Sequence, residues 1–350
     1  MAAGSDAHLG VLRLTMGPAA AWRAGLGRVR RAPALLFGGW LITIIAAAPA
    51  MWAVRSAIEA HLGRSLEAER AADSVNYEWW QEFASQASGP AGTFTPSILG
   101  FAAPLGNLSS VADALPLPSG VVAAVGGFVV LQIFLAGGIV DRFARDTRLG
   151  SYGFLAACGA TFFRLLRLGI IALAIYKLLF MFARPAMDAV QRSWTQDFTV
   201  ERHAFAAYAL TTIAFILVVA AVNLVVDFAK IRLVVEDRRS AIGALASGLR
   251  FVARQPLAAA GLYGINVLVF AAVLGLYAIV APSAAVSGWA LVWTLLVMQL
   301  FILARLWARL VFVASETALF QSRLAHAWYV ARPIPARPAP ATVDMSQSRI

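Results

Sequence analysis

Residues 120–140, GVVAAVGGFVVLQIFLAGGIV, contain a single strongly polar side chain, Gln132. A run of that length matches the α-helix needed to cross the ~30 Å hydrocarbon layer of a bilayer. Lipid offers no partner to an open backbone, so a run committed to it must close its hydrogen bonds internally, as a helix. Five more stretches read the same way, at about 34–54, 165–184, 205–228, 257–281 and 288–310. Composition agrees, with 60% hydrophobic and 13% charged residues, where soluble domains carry roughly 25% charged.

Charge placement orients these runs. The formal net charge is +11, and a basic chain of this kind raises a nucleic-acid reading. Its arginines, however, gather at the ends of apolar runs, where the positive-inside rule puts them. Anionic lipid is the expected counter-charge, and no nucleic acid is expected. Arg142, Arg145, Arg148, Arg164 and Arg167 outnumber Asp141 and Asp146 between the second and third spans. Residues 55–118 instead hold Glu59, Glu67, Glu69, Asp73, Glu78 and Glu82 against Arg55, Arg64 and Arg70, which suits an extracytoplasmic insertion. Tyr77, Trp79, Trp80 and Phe83 in that insertion are expected at the outer interface, where aromatic rings favour headgroup depth. Both termini then face the cytoplasm. A cleaved leader is the rival for the first span, since AAAPA near residue 49 resembles a cleavage site; the preceding segment is too long for one.

Between spans four and five the chain reads NLVVDFAKIRLVVEDRRSAIGALASGLRFVARQP, residues 223–256. Ile242, Leu245, Leu249 and Val252 recur at helical spacing, with Arg239, Arg250 and Arg254 mostly off that stripe. This is the pattern of a basic helix lying in the inner leaflet. Residues 18–31 repeat the arrangement with Trp22, Leu26 and Val29 as the stripe. The two segments align without a gap: Arg31-Ala-Pro33 matches Arg254-Gln-Pro256, Gly25 meets Gly248, and Gly38 meets Gly261. Phe163, Arg164 and Arg167 follow the scheme loosely before span three. Either the fold consists of three repeated hairpins or helical hydropathy has produced chance matches.

The fold class expected is all-α, a polytopic membrane protein with six transmembrane helices plus amphipathic inner-leaflet helices. Residues 1–33 form a cytoplasmic tail and interfacial helix, 34–331 the membrane domain, and 332–350 a Pro-rich disordered cytoplasmic tail. Alanine richness and charge bias suit a bacterial inner membrane. DFAKIRLVVED, SAIGALASGLRFVARQP and the span spacing resemble poorly characterised bacterial six-span families. One of these is the membrane domain attached to some glycerophosphodiester phosphodiesterases. The resemblance implies an architecture and carries no catalytic residue over.

Chemistry is sparse. His8, His61, His203 and His326 are scattered, and the single Cys158 rules out an intrachain disulfide or a multi-cysteine metal site. No phosphate-binding lysine loop, dinucleotide fingerprint or metalloprotease spacing occurs, so no catalytic residue, cofactor or metal is expected. Asn107-Leu-Ser109 matches a glycosylation sequon. Polar residues inside spans carry more weight, because an ionised group in lipid is costly. Lys177, Asn223, Asp227 and Arg305 are the candidate coupling residues, with Asp227 and Arg305 placed to pair across spans four and six or Asp227 to pair locally with Lys230. The rival reading makes such charges topology anchors whose side chains snorkel to the headgroups. Asn223, Asn266 and Gln299 are expected to hydrogen-bond between helices. Arg28, Arg31, Arg164, Arg167, Arg250 and Arg254 are the candidate lipid-headgroup contacts. The function that follows is a non-enzymatic membrane-organising or accessory protein binding anionic lipid, with protein partners or further copies of itself. The alternative is a transporter or permease component for a lipidic or amphiphilic substrate.

Overall fold

The structure, a computed structural model, describes residues 16–63, 65–73, 76–94, 119–147, 150–196, 198–280 and 288–323. The sequon at Asn107, the linker at Pro282 and the Pro-rich tail lie outside the described residues. The fold is all-α, and the described residues include six helices long and apolar enough to cross a membrane.

In chain order, α1 is Pro18–Arg30 and α2 is Pro33–Leu62. The short α3 (Glu67–Asp73) and α4 (Tyr77–Gln86) follow. The chain then continues with α5 (Ser119–Arg145) and α6 (Ser151–Leu178). A π-turn at Leu179–Ala183 joins α6 to α7 (Arg184–Thr195), ahead of α8 (Glu201–Val235). The last elements are α9 (Ala241–Arg254), α10 (Pro256–Val280) and α11 (Gly288–Arg323). Proline opens α1, α2 and α10, where its missing N–H and fixed φ suit the first helical turn. Ser240 caps α9, its hydroxyl accepting from the Gly243 N–H at 3.1 Å.

Two elements run further than hydropathy implies. Residues 151–195 form one helical path of 45 residues, about 68 Å long at 1.5 Å per residue. Its amphipathic start and its span are therefore one rod. Pro185 does not end that rod, because the π-turn just before it absorbs the ring and the missing donor. α11 continues past the apolar stretch to Arg323, and from Ala314 to Phe320 it is buried throughout.

The packed core sits at one end of the bundle. Ile231, Leu233 and Val235 of α8, Leu319 and Phe320 of α11, and Phe251 of α9 gather there with Val140 and Ala144 of α5. At mid-span the large apolar side chains Leu217, Leu268 and Leu300 are exposed, which is the arrangement lipid accepts and water does not.

Close backbone crossings hold that end together. A Cβ on Gly25 of α1 would lie 2.6 Å from the Ser315 nitrogen of α11, and one on Gly248 of α9 would lie 2.7 Å from the Val225 carbonyl of α8. Gly25 and Gly248 are one of the two glycine pairs that superpose in the sequence alignment; of the other pair, Gly38 has no neighbour within 4 Å. The third case is α5 against the first half of α6, where a Cβ on Gly138 would lie 2.5 Å from Cys158 Sγ. Gly126 and Gly127 have no neighbour within 4 Å. Three of the long helices thus have a helical segment crossed tightly over the buried end: α1 on α11, the start of α6 on α5, and α9 on α8.

Ion pairs join successive units. Asp146 and Asp237 end α5 and α8 with φ of 52° and 51°, a left-handed conformation that Asp tolerates better than most residues. Arg31, at the end of α1, reaches Asp146 at 2.7 Å. Arg164, on the amphipathic start of α6, pairs with Asp237.

At the opposite end, Trp79 and Phe83 are buried in a small cluster with Ala91. Trp79 Nε1 donates to His61 Nδ1 at 3.0 Å. Tyr77 is exposed. The aromatic group expected at the outer interface therefore divides between a satellite core and an exposed rim.

Candidate substrate cavity

A cavity of about 560 Å³ opens between α2, α5, α8, α10 and α11 above the packed end. Its wall is mostly apolar, with Leu35, Phe128, Val267 and Phe270 among the lining residues. It is lined by five Asp, Glu, Lys or Arg side chains: Asp227, Lys230, Arg305, Arg309 and Glu316.

α8 supplies the organised part. Asn223, Asp227 and Lys230 recur every three or four residues and so share one helix face. Lys230 Nζ lies 2.5 Å from Asp227 Oδ1, and Asn223 Nδ2 donates to Asp227 Oδ2 at 3.1 Å. Asn223 Nδ2 also donates to Tyr263 Oη of α10 at 3.1 Å, and Asn223 Oδ1 accepts from Tyr176 Oη of α6 at 3.2 Å. The carboxylate is thereby held by its own helix and tied through one amide to two neighbours.

α11 supplies the other wall. Arg305, Arg309 and Glu316 lie four and seven residues apart, on one stripe. Asn266 Nδ2 of α10 donates to Ser315 Oγ at 3.0 Å, fixing α10 against that stretch. Glu316 is 2% exposed, and its Oε1 is buried with no hydrogen-bond partner. Among the described residues neither Arg305 nor Arg309 has an ion pair.

Of the four intramembrane candidates read from sequence, Asn223, Asp227 and Arg305 line this one cavity. Lys177 is exposed on α6, outside the cavity lining, and among the described residues has no ion pair. Asp227 takes its local partner Lys230 rather than Arg305. Asn223, Asn266 and Gln299 all bridge helices; Gln299 Oε1 accepts from Trp40 Nε1 of α2 at 2.9 Å. Sequence reasoning missed Glu316, Tyr263 and Tyr176 as members of the site. Glu316 continues the Arg305–Arg309 stripe, but it lies beyond the point where hydropathy falls and so does not stand out in the sequence.

The six basic candidates divide. Arg28 is buried, and its guanidinium donates to Gln321 Oε1 at 2.9 Å. Burial pushes Arg28 below the usual guanidinium range, with Asp146 opposing the shift and Arg31 adding to it. Arg31 and Arg164 are engaged with Asp146 and Asp237. Arg167, Arg250 and Arg254 are exposed, with no ion pair among the described residues.

No group of three or more His, Cys, Asp or Glu side chains suited to a metal ion occurs among the described residues. No protein-family model, curated protein or solved structure matches this chain.

Proposed function

We propose that this protein is a transporter for an amphiphilic substrate, or the membrane component of one, in a bacterial inner membrane with the packed end of the bundle on the cytoplasmic side. The observation that carries the reading is the cavity: about 560 Å³ of space lined by five Asp, Glu, Lys or Arg side chains, set among helices apolar enough to span lipid. That volume is in the range of small-molecule sites, which run about 300–1,000 Å³. Ionisable groups kept inside a membrane bundle usually mark a substrate or ion pathway, because holding them there is costly. A wall that is apolar on one part and charged on another matches a molecule with a tail and a polar head. Photo-crosslinking of the full chain with a diazirine-bearing phospholipid tests occupancy. Adducts should map to α10 and α11 where they line the cavity; adducts confined to the lipid-facing belt would overturn the reading.

A second role rests on Arg167, Arg250 and Arg254, exposed on the segments expected at the inner leaflet. Such unpaired cations suit anionic headgroups, at about 1 kcal/mol per residue near the surface. Replacing all three by Gln should weaken binding of the purified protein to phosphatidylglycerol in nanodisc titrations. Unchanged binding would leave these arginines as topology signals alone.

A further inference from the structure

The charges on the cavity wall are unevenly satisfied. Asp227 and Lys230 neutralise each other at 2.5 Å. What remains for a ligand is two guanidiniums without an ion pair among the described residues, Arg305 and Arg309, and one carboxylate, Glu316, whose Oε1 is buried and accepts nothing. The two signs are separated along a single helix. From Arg309 to Glu316 the backbone rises about 10 Å, and from Arg305 to Glu316 about 16 Å. Guanidinium forks match the oxygens of a phosphate. A buried carboxylate oxygen without a donor is a loss that an ammonium N–H would recover.

We propose that the cavity selects amphiphiles whose head carries both a phosphate and a primary ammonium. The phosphate lies between Arg305 and Arg309, the ammonium reaches Glu316, and the tails lie along Phe128, Val267 and Phe270. A head in which two carbons separate phosphate from nitrogen covers the shorter separation, Arg309 to Glu316, once a contact distance is added at each end. A quaternary ammonium of the same length carries no N–H and leaves Oε1 unsatisfied. Selection of aminoethyl over choline heads follows directly from that difference. The inference rests on the cavity being a substrate site, as proposed above.

The test is native mass spectrometry of the full chain in detergent, titrated separately with phosphatidylethanolamine, phosphatidylcholine and phosphatidylglycerol of identical acyl chains. Wild type is expected to favour the aminoethyl over the choline head by about tenfold or more, the scale of one hydrogen bond to a charged group. Glu316→Gln should abolish that preference while still binding phospholipid. The Arg305→Gln, Arg309→Gln double variant should weaken all three lipids together. If Glu316→Gln does not fold, the wild-type ratio and the arginine variant still decide the matter. Lipid bound without an aminoethyl preference would overturn the headgroup assignment and leave the cavity reading standing. No lipid bound to wild type would sink both. O-Phosphoethanolamine competing as well as the whole lipid would assign the site to a soluble phosphoamine and remove the lipid part of the proposal.

Discussion

Asn223 shows what a single polar residue does inside an apolar helix. It gives hydrogen bonds to Asp227 and Tyr263 and accepts one from Tyr176, so one amide joins α6, α8 and α10. Hydrogen bonds between membrane helices are worth about 0.6 to 2 kcal/mol each. Asn223→Ala is therefore expected to lower stability by about 1–3 kcal/mol, read as a fall in the thermal midpoint in detergent; an unchanged midpoint would show that these bonds exchange freely for others. The crossing glycines make a sharper prediction. Gly248→Ala places a methyl group 2.7 Å from the Val225 carbonyl, and overpacking of this kind costs about 1–3 kcal/mol. Gly126→Ala, with nothing within 4 Å, should be neutral or stabilising by up to about 1 kcal/mol. Asn223, Asp227 and Arg305 were legible in the sequence because a polar residue stands out in an apolar run. Glu316 was not, because the hydropathy of SETALFQSR resembles that of a loop. Only the tertiary fold shows that this turn of α11 is covered by α1.

At the scale of elements, two of the aligned glycines make similar contacts. Gly25 and Gly248 superpose in sequence, and each lets a short helix cross closely over the buried end of a long one. Sequence left the third unit loose because it has no proline between amphipathic segment and span, and α6 accordingly runs straight through. Proline also fails to break a helix at one position: the chain stays helical through Pro185, just past the 165–184 span, after the π-turn that precedes it. The ion pairs Arg31–Asp146 and Arg164–Asp237 connect consecutive units at their buried ends. Both pairs are partly exposed, so their worth is discounted to about 1 kcal/mol or less. Arg164→Asp and Asp237→Arg should each destabilise by roughly that amount, and the double exchange should restore most of it. A double-mutant cycle on thermal midpoints measures the coupling, and additive losses would show that the pair does not hold the units together.

At the scale of the molecule, the fold puts its close packing at one end and leaves its middle to lipid. That polarity makes topology testable with one reagent. Cys158 is fully buried, which gives wild type a low background for thiol labelling. Leu66 is 95% exposed beyond α2, and Ile242 is 71% exposed on α9. In intact cells an impermeant maleimide should label Leu66→Cys and spare Ile242→Cys; the reverse would invert the bundle and with it the side from which the cavity is reached. Orientation matters to mechanism because the charged cavity lies nearer the packed end, beside Asp227 and Glu316, than the opposite ends of the spans. A headgroup held there sits at the depth of one leaflet, so transport requires its passage toward the other end of the bundle. Proteoliposomes containing a fluorescent phosphatidylethanolamine should then show faster exchange between leaflets than protein-free vesicles, followed by bleaching of the outer leaflet with dithionite. Asp227→Asn keeps the shape of the α8 face but leaves Lys230 uncompensated, and should slow that exchange about tenfold or more. Exchange that is absent in wild type, with lipid nevertheless bound in the cavity, would make the site a fixed lipid-binding element and the protein a membrane-organising subunit.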